Sequence, residues 1–282
     1  MPGGWAVADT WRSETTPPTP GPRAIGWVRV VLRAVPLCIL VFGGLLILLL
    51  VRLVERPLFG QRRPVTPYIT QFVCRTAFVL LGIHYSSAGA PMQGAGAVVA
   101  NHASWLDIFA LNARKRIYFV SKSEVAGWPG IGWLARATGT VFIHRDRGEL
   151  RSQIAVFRDR LGAGHKLLFF PEGTSTDGLR VLPFKPALFA AFFDPTLRDT
   201  LQLQAVSVVY EAPEGRDPRF YGWWGDMDFG PHLIATLAAR RQGRVHVIYH
   251  PPVLVQDFAD RKALAKAMET QVRAGLTQHR AT

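Results

Sequence analysis

The sequence predicts a mixed α/β protein, in which helices flank a mostly buried sheet and an N-terminal hydrophobic helical element precedes it. From about residue 95, short apolar runs alternate with polar turns and amphipathic stretches, which is typical of strands alternating with helices. Ahead of them, eighteen residues without a charge run from Ala34 to Val51. As a helix, such a run just reaches across the ~30 Å of hydrocarbon in a bilayer.

We expect three regions along the chain: a disordered tail over 1–22, a membrane-associated helical element over 23–85 and an α/β domain over 86–282. The tail is rich in Pro, Gly, Thr and Ser, a composition that buries little apolar surface. Apolar runs predict strands in the domain at 97–100, 116–122, 140–145, 165–171, 203–210 and 244–255. Amphipathic stretches predict helices at 106–113, 148–161, 185–193 and 259–276.

The membrane element allows two arrangements. Either residues 34–51 span the bilayer, or they dip into one leaflet and the stretch Tyr68–Ile83 returns beside them. Arginines flank the apolar run on both sides, so the distribution of positive charge fixes no orientation. The run starts late and bulky charged residues follow it, which disfavours a cleaved signal peptide.

The charge balance predicts an acidic partner. Lys and Arg number 33 against 20 Asp and Glu, giving a net charge of +13 that arginine dominates. We expect anionic membrane phospholipid as the partner and no nucleic acid, because the sequence has no zinc-ligand spacing and no recognition-helix signature. Cys38 and Cys74 both lie in hydrophobic stretches, so neither a disulfide framework nor a metal site is expected.

The stretch NHASWLD (101–107) carries the first candidate site. It follows the predicted strand at 97–100, so a strand end delivers His102 into a loop at the carboxyl edge of the sheet. An imidazole there can take a proton from an alcohol, provided that a carboxylate such as that of Asp107 orients it. The alternative is structural: Ser104 and Asp107 also form a helix-start pattern ahead of an apolar run.

Two further stretches offer groups that suit an anion. In HKLLFFPEGTSTDG (165–178), an apolar run enters a turn whose backbone amides can point at an anion, with Glu172 inside it. In GTVFIHRDR, Arg145 follows a predicted strand and has the fork geometry that matches phosphate. The alternatives are an ordinary turn with a solvated Glu172 and a surface charge at Arg145.

Together these stretches resemble the glycerolipid acyltransferase family, typified by 1-acylglycerol-3-phosphate acyltransferase. The resemblance covers roughly residues 70–255 and rests on three motifs in the family's order: His102-x4-Asp107, the segment Gly139 to Arg145, and Phe170-Pro-Glu-Gly-Thr174. It implies that His102 and Asp107 form the catalytic pair. It also implies that the polar head of the acceptor is placed by Arg145, Glu172, Gly173, Thr174 and Lys122. The sequence departs from the family's fourth motif, where Ala205 stands in place of a proline.

The resemblance implies an O-acyltransferase at the cytoplasmic face of the inner membrane. A lysolipid hydroxyl would attack an acyl thioester, carried by acyl carrier protein or coenzyme A, with no other cofactor and no acyl-enzyme. We expect 1-acyl-sn-glycerol-3-phosphate as the acceptor. Lyso-ornithine lipid is the alternative, because two further stretches (118–145 and 220–233) are similar to that branch, and one enzyme using both remains open. A non-catalytic protein that binds anionic lipid is the alternative of a different class.

Overall fold

The structure, a computed structural model, describes residues 10–15, 17, 21–128, 130–143 and 150–281. Its helices are α1 (Ala24–Phe59), α2 (Thr66–Leu81), α3 (Asp107–Arg114), α4 (Ile131–Thr138), α5 (Leu150–Gly162), α6 (Pro195–Arg198), α7 (Phe229–Ala238) and α8 (Arg261–Ala281). Its strands are β1 (His84–Ala88), β2 (Gly96–Ala100), β3 (Tyr118–Lys122), β4 (Val141–Ile143), β5 (Lys166–Phe169), β6 (Gln202–Glu211), β7 (Arg244–Tyr249) and β8 (Val253–Leu254).

The described strands form one mixed sheet in the order β1-β7-β6-β2-β5-β3-β4, with β8 paired to β6. Neighbours are parallel, except that β6 runs antiparallel to β7 and β8. The predicted α/β class is therefore confirmed. The sequence patterns missed β1, α4, α6 and α7, and they predicted a helix over 185–193 where Pro186–Phe193 forms a 3₁₀ helix. Strand β1 begins at His84, within the range expected to belong to the membrane element.

Alternating side chains of the strands build two cores, one on each face of the sheet. In β2, Val98 and Ala100 face one core, whereas Ala97 and Val99 face the other. Helices α1, α2, α3 and α7 cover the first face, and α5, α8 and the 3₁₀ helix cover the second. Both faces of the sheet are thus buried, which accounts for the nearly continuous apolar sequence of its strands.

Helix α1 contains the predicted membrane segment and is long and apolar enough to cross a membrane. Its 36 residues extend roughly 54 Å. Only 6% of its most apolar window is buried in the protein. Helix α2 packs beside it at Gly44, where an added Cβ would lie 2.5 Å from Cγ2 of Val73. One face of α2 is buried in the core through Cys74 and Phe78. Two adjacent helices are therefore present, and whether α1 spans or dips remains a prediction.

The segment at residues 10–15, which we call the N-terminal strap, lies against the α/β unit. The ring of Trp11 packs on that of Trp224, with their centroids 5.9 Å apart, and its backbone N–H donates to Oγ1 of Thr174 at 3.2 Å. Much of the tail expected over 1–22 lies outside the described residues, namely 1–9, 16 and 18–20. At 10–15 the chain contacts the α/β unit through Trp11, Arg12 and Thr15, and the polar composition around Trp11 gives no sign of these contacts in the sequence.

Basic side chains gather around Tyr118 at the amino ends of β3 and β5. The Arg160 guanidinium lies over the Tyr118 ring, 4.9 Å from its centroid, and donates to the carbonyl of Gly139. The ring of His165 stacks on Tyr118 at 4.1 Å. Burial, and then the positive charges of Arg160 and Arg63, lower the pKa of His165 to about 4.

This lowered pKa predicts a pH dependence of stability. In the unfolded chain the pKa of a histidine is about 6.5. Between that pH and about 4 the unfolded state therefore binds the extra proton, and the free energy of unfolding falls as pH falls. We expect His165→Gln to make this acid-side slope shallower in denaturant titrations at several pH values. His84→Gln, at an exposed site, should leave the slope unchanged. Equal slopes for His165→Gln and the wild type would contradict the prediction.

Candidate active site

Three parallel strands bring the predicted site residues to one edge of the sheet. Strand β5 lies between β2 and β3, and all three run in the same direction. His102 follows the end of β2, Glu172 follows the end of β5, and Lys122 is the last residue of β3. The first and third motifs therefore meet at the carboxyl edge, as their positions after predicted strands indicate.

Asp107 is fully buried at this edge and accepts four hydrogen bonds. Its Oδ2 accepts from Nδ1 of His102 at 2.7 Å and from the backbone amides of Ala103 and Ser104 at 2.8 and 3.0 Å. Its Oδ1 accepts from the Tyr210 hydroxyl at 2.8 Å. Asp107 is also the first residue of α3. One side chain thus both begins a helix and bonds the imidazole of His102.

The histidine ring is fixed on two sides and open on a third. Nδ1 is bonded to Asp107, and the ring stacks on Phe170 with centroids 4.1 Å apart and planes 11° apart. The side chain is 24% exposed. No hydrogen bond from a described residue occupies Nε2. Because Nδ1 faces a carboxylate, Nδ1 carries the proton and Nε2 presents a lone pair. A basic nitrogen on a ring held in this way can accept a proton from a bound hydroxyl.

Glu172 binds the backbone of the loop that carries His102. Its Oε1 accepts from the backbone N–H of His102 and its Oε2 from that of Leu182, each at 2.8 Å, and the residue is 1% exposed. Burial raises the pKa of Glu172 to about 8, although the two amide donors partly offset this effect and the nearby charge of Asp107 adds to it. The geometry thus makes Glu172 a positioning residue for the His102 backbone.

Further contacts fix the loop that carries the histidine. The Asn101 side chain, fully buried, pairs with both backbone groups of Val208 at 2.8 and 2.9 Å, which extends the contact between β2 and β6. The His102 carbonyl accepts from the backbone N–H of Thr176 at 2.9 Å. The third motif and the turn after it therefore bind both the N–H and the C=O of His102, through Glu172 and Thr176.

The other four residues predicted to place the acceptor head do not share one environment. Gly173 has a φ of +75°, and a Cβ there would lie 3.0 Å from Nζ of Lys185, so glycine lets this lysine approach the turn. Oγ1 of Thr174 accepts from the backbone of the N-terminal strap. Lys122 lies half-buried at the same edge. Arg145 falls outside the described residues.

Sequence reasoning missed Tyr210 and Lys185. Tyr210 looks like the last apolar residue of its strand, and 103 positions separate it from its partner Asp107. No local pattern reveals a contact across that distance. Lys185 begins a predicted helix, and nothing in the sequence around it indicates its close approach to Gly173.

Comparison with known proteins decides the family. A family model described as Acyltransferase matches residues 83–220. A lyso-ornithine lipid O-acyltransferase from Rhodobacter capsulatus is 56% identical over 268 residues, covering 95% of this chain and 97% of the relative. The chain belongs to the acyltransferase family. This confirms the resemblance inferred from the three motifs.

Other relatives of this acyltransferase carry two different substrate names. A lyso-ornithine lipid O-acyltransferase from Pseudomonas aeruginosa is 33% identical, covering 88% of this chain and 94% of the relative. A 1-acyl-sn-glycerol-3-phosphate acyltransferase from Neisseria meningitidis is 41% identical over 63% of this chain and 68% of the relative. The crystal structure of the LPA acyltransferase PlsC from Thermotoga maritima aligns with a TM-score of 0.64 at 22% identity, covering 91% of this chain and 97% of that one. This last likeness shows a shared fold.

Tyr210→Phe tests the hydroxyl that supports Asp107. We expect kcat to fall about tenfold, since a hydrogen bond to a charged group contributes about 1.5 kcal/mol or more. The acyl-transfer rate of the purified protein measures this. Tyr221→Phe is the matched control, because it removes another buried tyrosine hydroxyl, whose partners are Gln242 and Gly243. An equal loss in both variants would mean that the effect is not specific to Asp107.

Glu172→Gln tests the positioning of the histidine loop. A glutamine has one acceptor oxygen, so its NH2 group would face one of the two amides that Glu172 now binds. We expect the free energy of unfolding to fall by about 1–3 kcal/mol, together with a lower kcat. Chemical denaturation and initial rates measure the two effects. Wild-type values for both would show that Glu172 does not hold the loop.

Proposed function

We propose that this acyltransferase is a membrane-bound enzyme that transfers a fatty acyl chain from a thioester to the hydroxyl of lyso-ornithine lipid. One observation supports the reaction above all others: His102 is bonded through Nδ1 to a fully buried carboxylate, while no described residue bonds its Nε2 and the side chain is 24% exposed. The relatives support this acceptor, because two of those named for lyso-ornithine lipid match 95% and 88% of the chain.

In the proposed reaction, Nε2 of His102 takes the proton of the acceptor hydroxyl as its oxygen attacks the thioester carbonyl carbon. A new C–O bond forms, and the tetrahedral intermediate then collapses with loss of the C–S bond. The leaving thiolate receives the proton from His102. Asp107 keeps the ring in the required tautomer and stabilises the imidazolium between the two steps.

The arrangement supports direct transfer between two substrates. Within the described site, His102 is bonded to Asp107 and lies beside Phe170, and neither side chain is a nucleophile in need of a base. Holding the two substrates together supplies a large part of the rate in such reactions, because a bimolecular encounter becomes an effectively unimolecular step. Acyl carrier protein or coenzyme A carries the acyl group, and no further cofactor takes part.

We place the enzyme on the inner membrane with its site facing the cytoplasm. The exposed apolar surface of α1 supports the membrane attachment, since most of its large hydrophobic side chains are solvent-accessible in the isolated chain. Arg29 and Arg33 fasten the start of this helix to the carbonyl groups at the end of α7, at 2.7–2.8 Å. The α/β unit is thereby held close to the membrane helix and to its lipid substrates.

Lysophosphatidate is the second candidate acceptor. Two relatives from Neisseria are named for this acceptor. Over the residues that align, their sequence identity to this chain is higher than that of three relatives named for lyso-ornithine lipid. The phosphate of this acceptor would lie near Lys122 and Arg145, as the family resemblance implies. Synthesis of membrane lipid is the common role of both reactions.

The test offers the purified enzyme both lysolipids with each thioester donor and identifies products by mass. We expect acylated lyso-ornithine lipid in the wild type, and a fall in kcat of about 10²–10⁴-fold in His102→Ala, the usual contribution of general-base catalysis. The kcat of Asp107→Asn should fall by a similar factor, because this substitution removes the carboxylate that fixes the tautomer of His102. His84→Ala is the control at an exposed histidine.

Two outcomes would contradict the proposal. Full transfer by His102→Ala would remove His102 from the reaction. Anionic vesicle binding without acyl transfer to either lysolipid, in a folded wild type, would support the non-catalytic lipid-binding alternative.

A further inference from the structure

A cleft of about 460 Å³ opens between the N-terminal strap and the loop that precedes α7. Arg12 and Ser13 form one wall. Trp224, Asp226 and Asp228 are among the residues of the other wall. Its volume falls within the range of ligand pockets.

Short contacts connect this cleft to the histidine loop. The backbone N–H of Trp223 donates to the carbonyl of Ala103, the residue after His102, at 2.8 Å. His232, which lines the cleft, accepts at Nδ1 from the indole N–H of Trp105 at 3.0 Å. The strap that forms the opposite wall is bonded to Thr174. The walls of the cleft are therefore bonded to residues of the first and third motifs.

The charges of the cleft are those of an acidic site with one cation. Among the described residues that line it, Arg12 is the cation and Asp226 and Asp228 are the carboxylates. Burial lowers the pKa of His232 to about 4, so this histidine is neutral at physiological pH. Such a lining repels a phosphate dianion.

Two features indicate that the lining can accept a ligand. Trp224 is only 2% exposed, and its indole N–H has no hydrogen-bond partner among the described residues. A buried donor without an acceptor costs free energy, which a ligand oxygen would recover. In addition, Arg12 and Asp226 pair with each other at 3.0 Å across the cleft, and both are mostly exposed. An exposed pair of this kind is weak and readily exchanges its partners.

We propose that this cleft binds the head group of the acceptor, and that it selects a zwitterionic amino-acid head over a phosphate. Asp226 and Asp228 take the ammonium, Arg12 takes the carboxylate, and the Trp224 indole donates to an oxygen of the head. This rests on the proposed function, because the ornithine head carries one ammonium, one carboxylate and an amide oxygen.

The experiment compares acceptors in the double variant Asp226→Asn/Asp228→Asn of the full chain. We expect KM for lyso-ornithine lipid to rise about tenfold with kcat unchanged. This is the change expected when one charge-assisted contact to the substrate is lost. KM for lysophosphatidate should stay equal or fall, since two repelling charges are gone. Glu214→Gln is the control: this exposed carboxylate pairs with Arg241 and does not line the cleft.

A modified acceptor identifies the contact directly. Acetylation of the ornithine side-chain amine removes its positive charge. The wild type should lose about tenfold in kcat/KM on this analogue, whereas the double variant should accept both lipids equally. Trp224→Phe, which keeps an aromatic ring but removes the indole N–H, should raise KM for lyso-ornithine lipid and for its acetylated analogue. Thermal unfolding checks that every variant is folded.

The outcomes separate the two proposals. If the wild type acylates lyso-ornithine lipid but the double variant keeps the wild-type KM and the same preference between the two lipids, the head-group cleft is wrong and the proposed function stands. If the folded wild type acylates only lysophosphatidate, the proposed acceptor fails, and the cleft assignment fails with it.

Discussion

A buried carboxylate with four hydrogen-bond donors holds the candidate active site together. Removing Asp107 from water costs several kcal/mol, and the bonds from His102, Ala103, Ser104 and Tyr210 compensate for this cost. Three of these donors lie in the loop before α3, and the fourth lies on the central strand β6. The carboxylate is therefore fully satisfied only when the loop and the strand are both in place, and its bond to Nδ1 then orients the histidine ring.

The sequence predicted the local part of this arrangement. The pairing of His102 with Asp107 depends on five consecutive positions and a strand end, which apolar patterning reveals. The burial of Glu172 was not predictable, because its partners, His102 and Leu182, lie 70 and 10 residues away and contribute only backbone amides. Amides carry no residue-specific signal. The support from Tyr210 was hidden for the related reason that it depends on the register between β2 and β6.

The charge of the chain illustrates a second limit of sequence reasoning. A net charge of +13 predicted a basic surface that meets acidic partners. In the fold, however, several arginines bind backbone carbonyl groups of the protein itself. They are Arg29, Arg33, Arg63, Arg75 and Arg160. Composition counts these guanidinium groups as free, whereas they join the helices to the rest of the chain. The cleft beside the N-terminal strap is acidic despite the net positive charge.

The central position of β6 affects how the protein matures during synthesis. The three matching motifs precede residue 175, but the partner of the Asn101 side chain and the fourth donor to Asp107 lie on β6, which begins at Gln202. A nascent chain that has just exposed the third motif outside the ribosome thus contains these three motifs, while Asp107 still lacks the bond from Tyr210. Meanwhile α1, the first helix of the described residues, has already emerged. The order of translation therefore exposes this long apolar helix before the hydrogen bonds around Asp107 are complete.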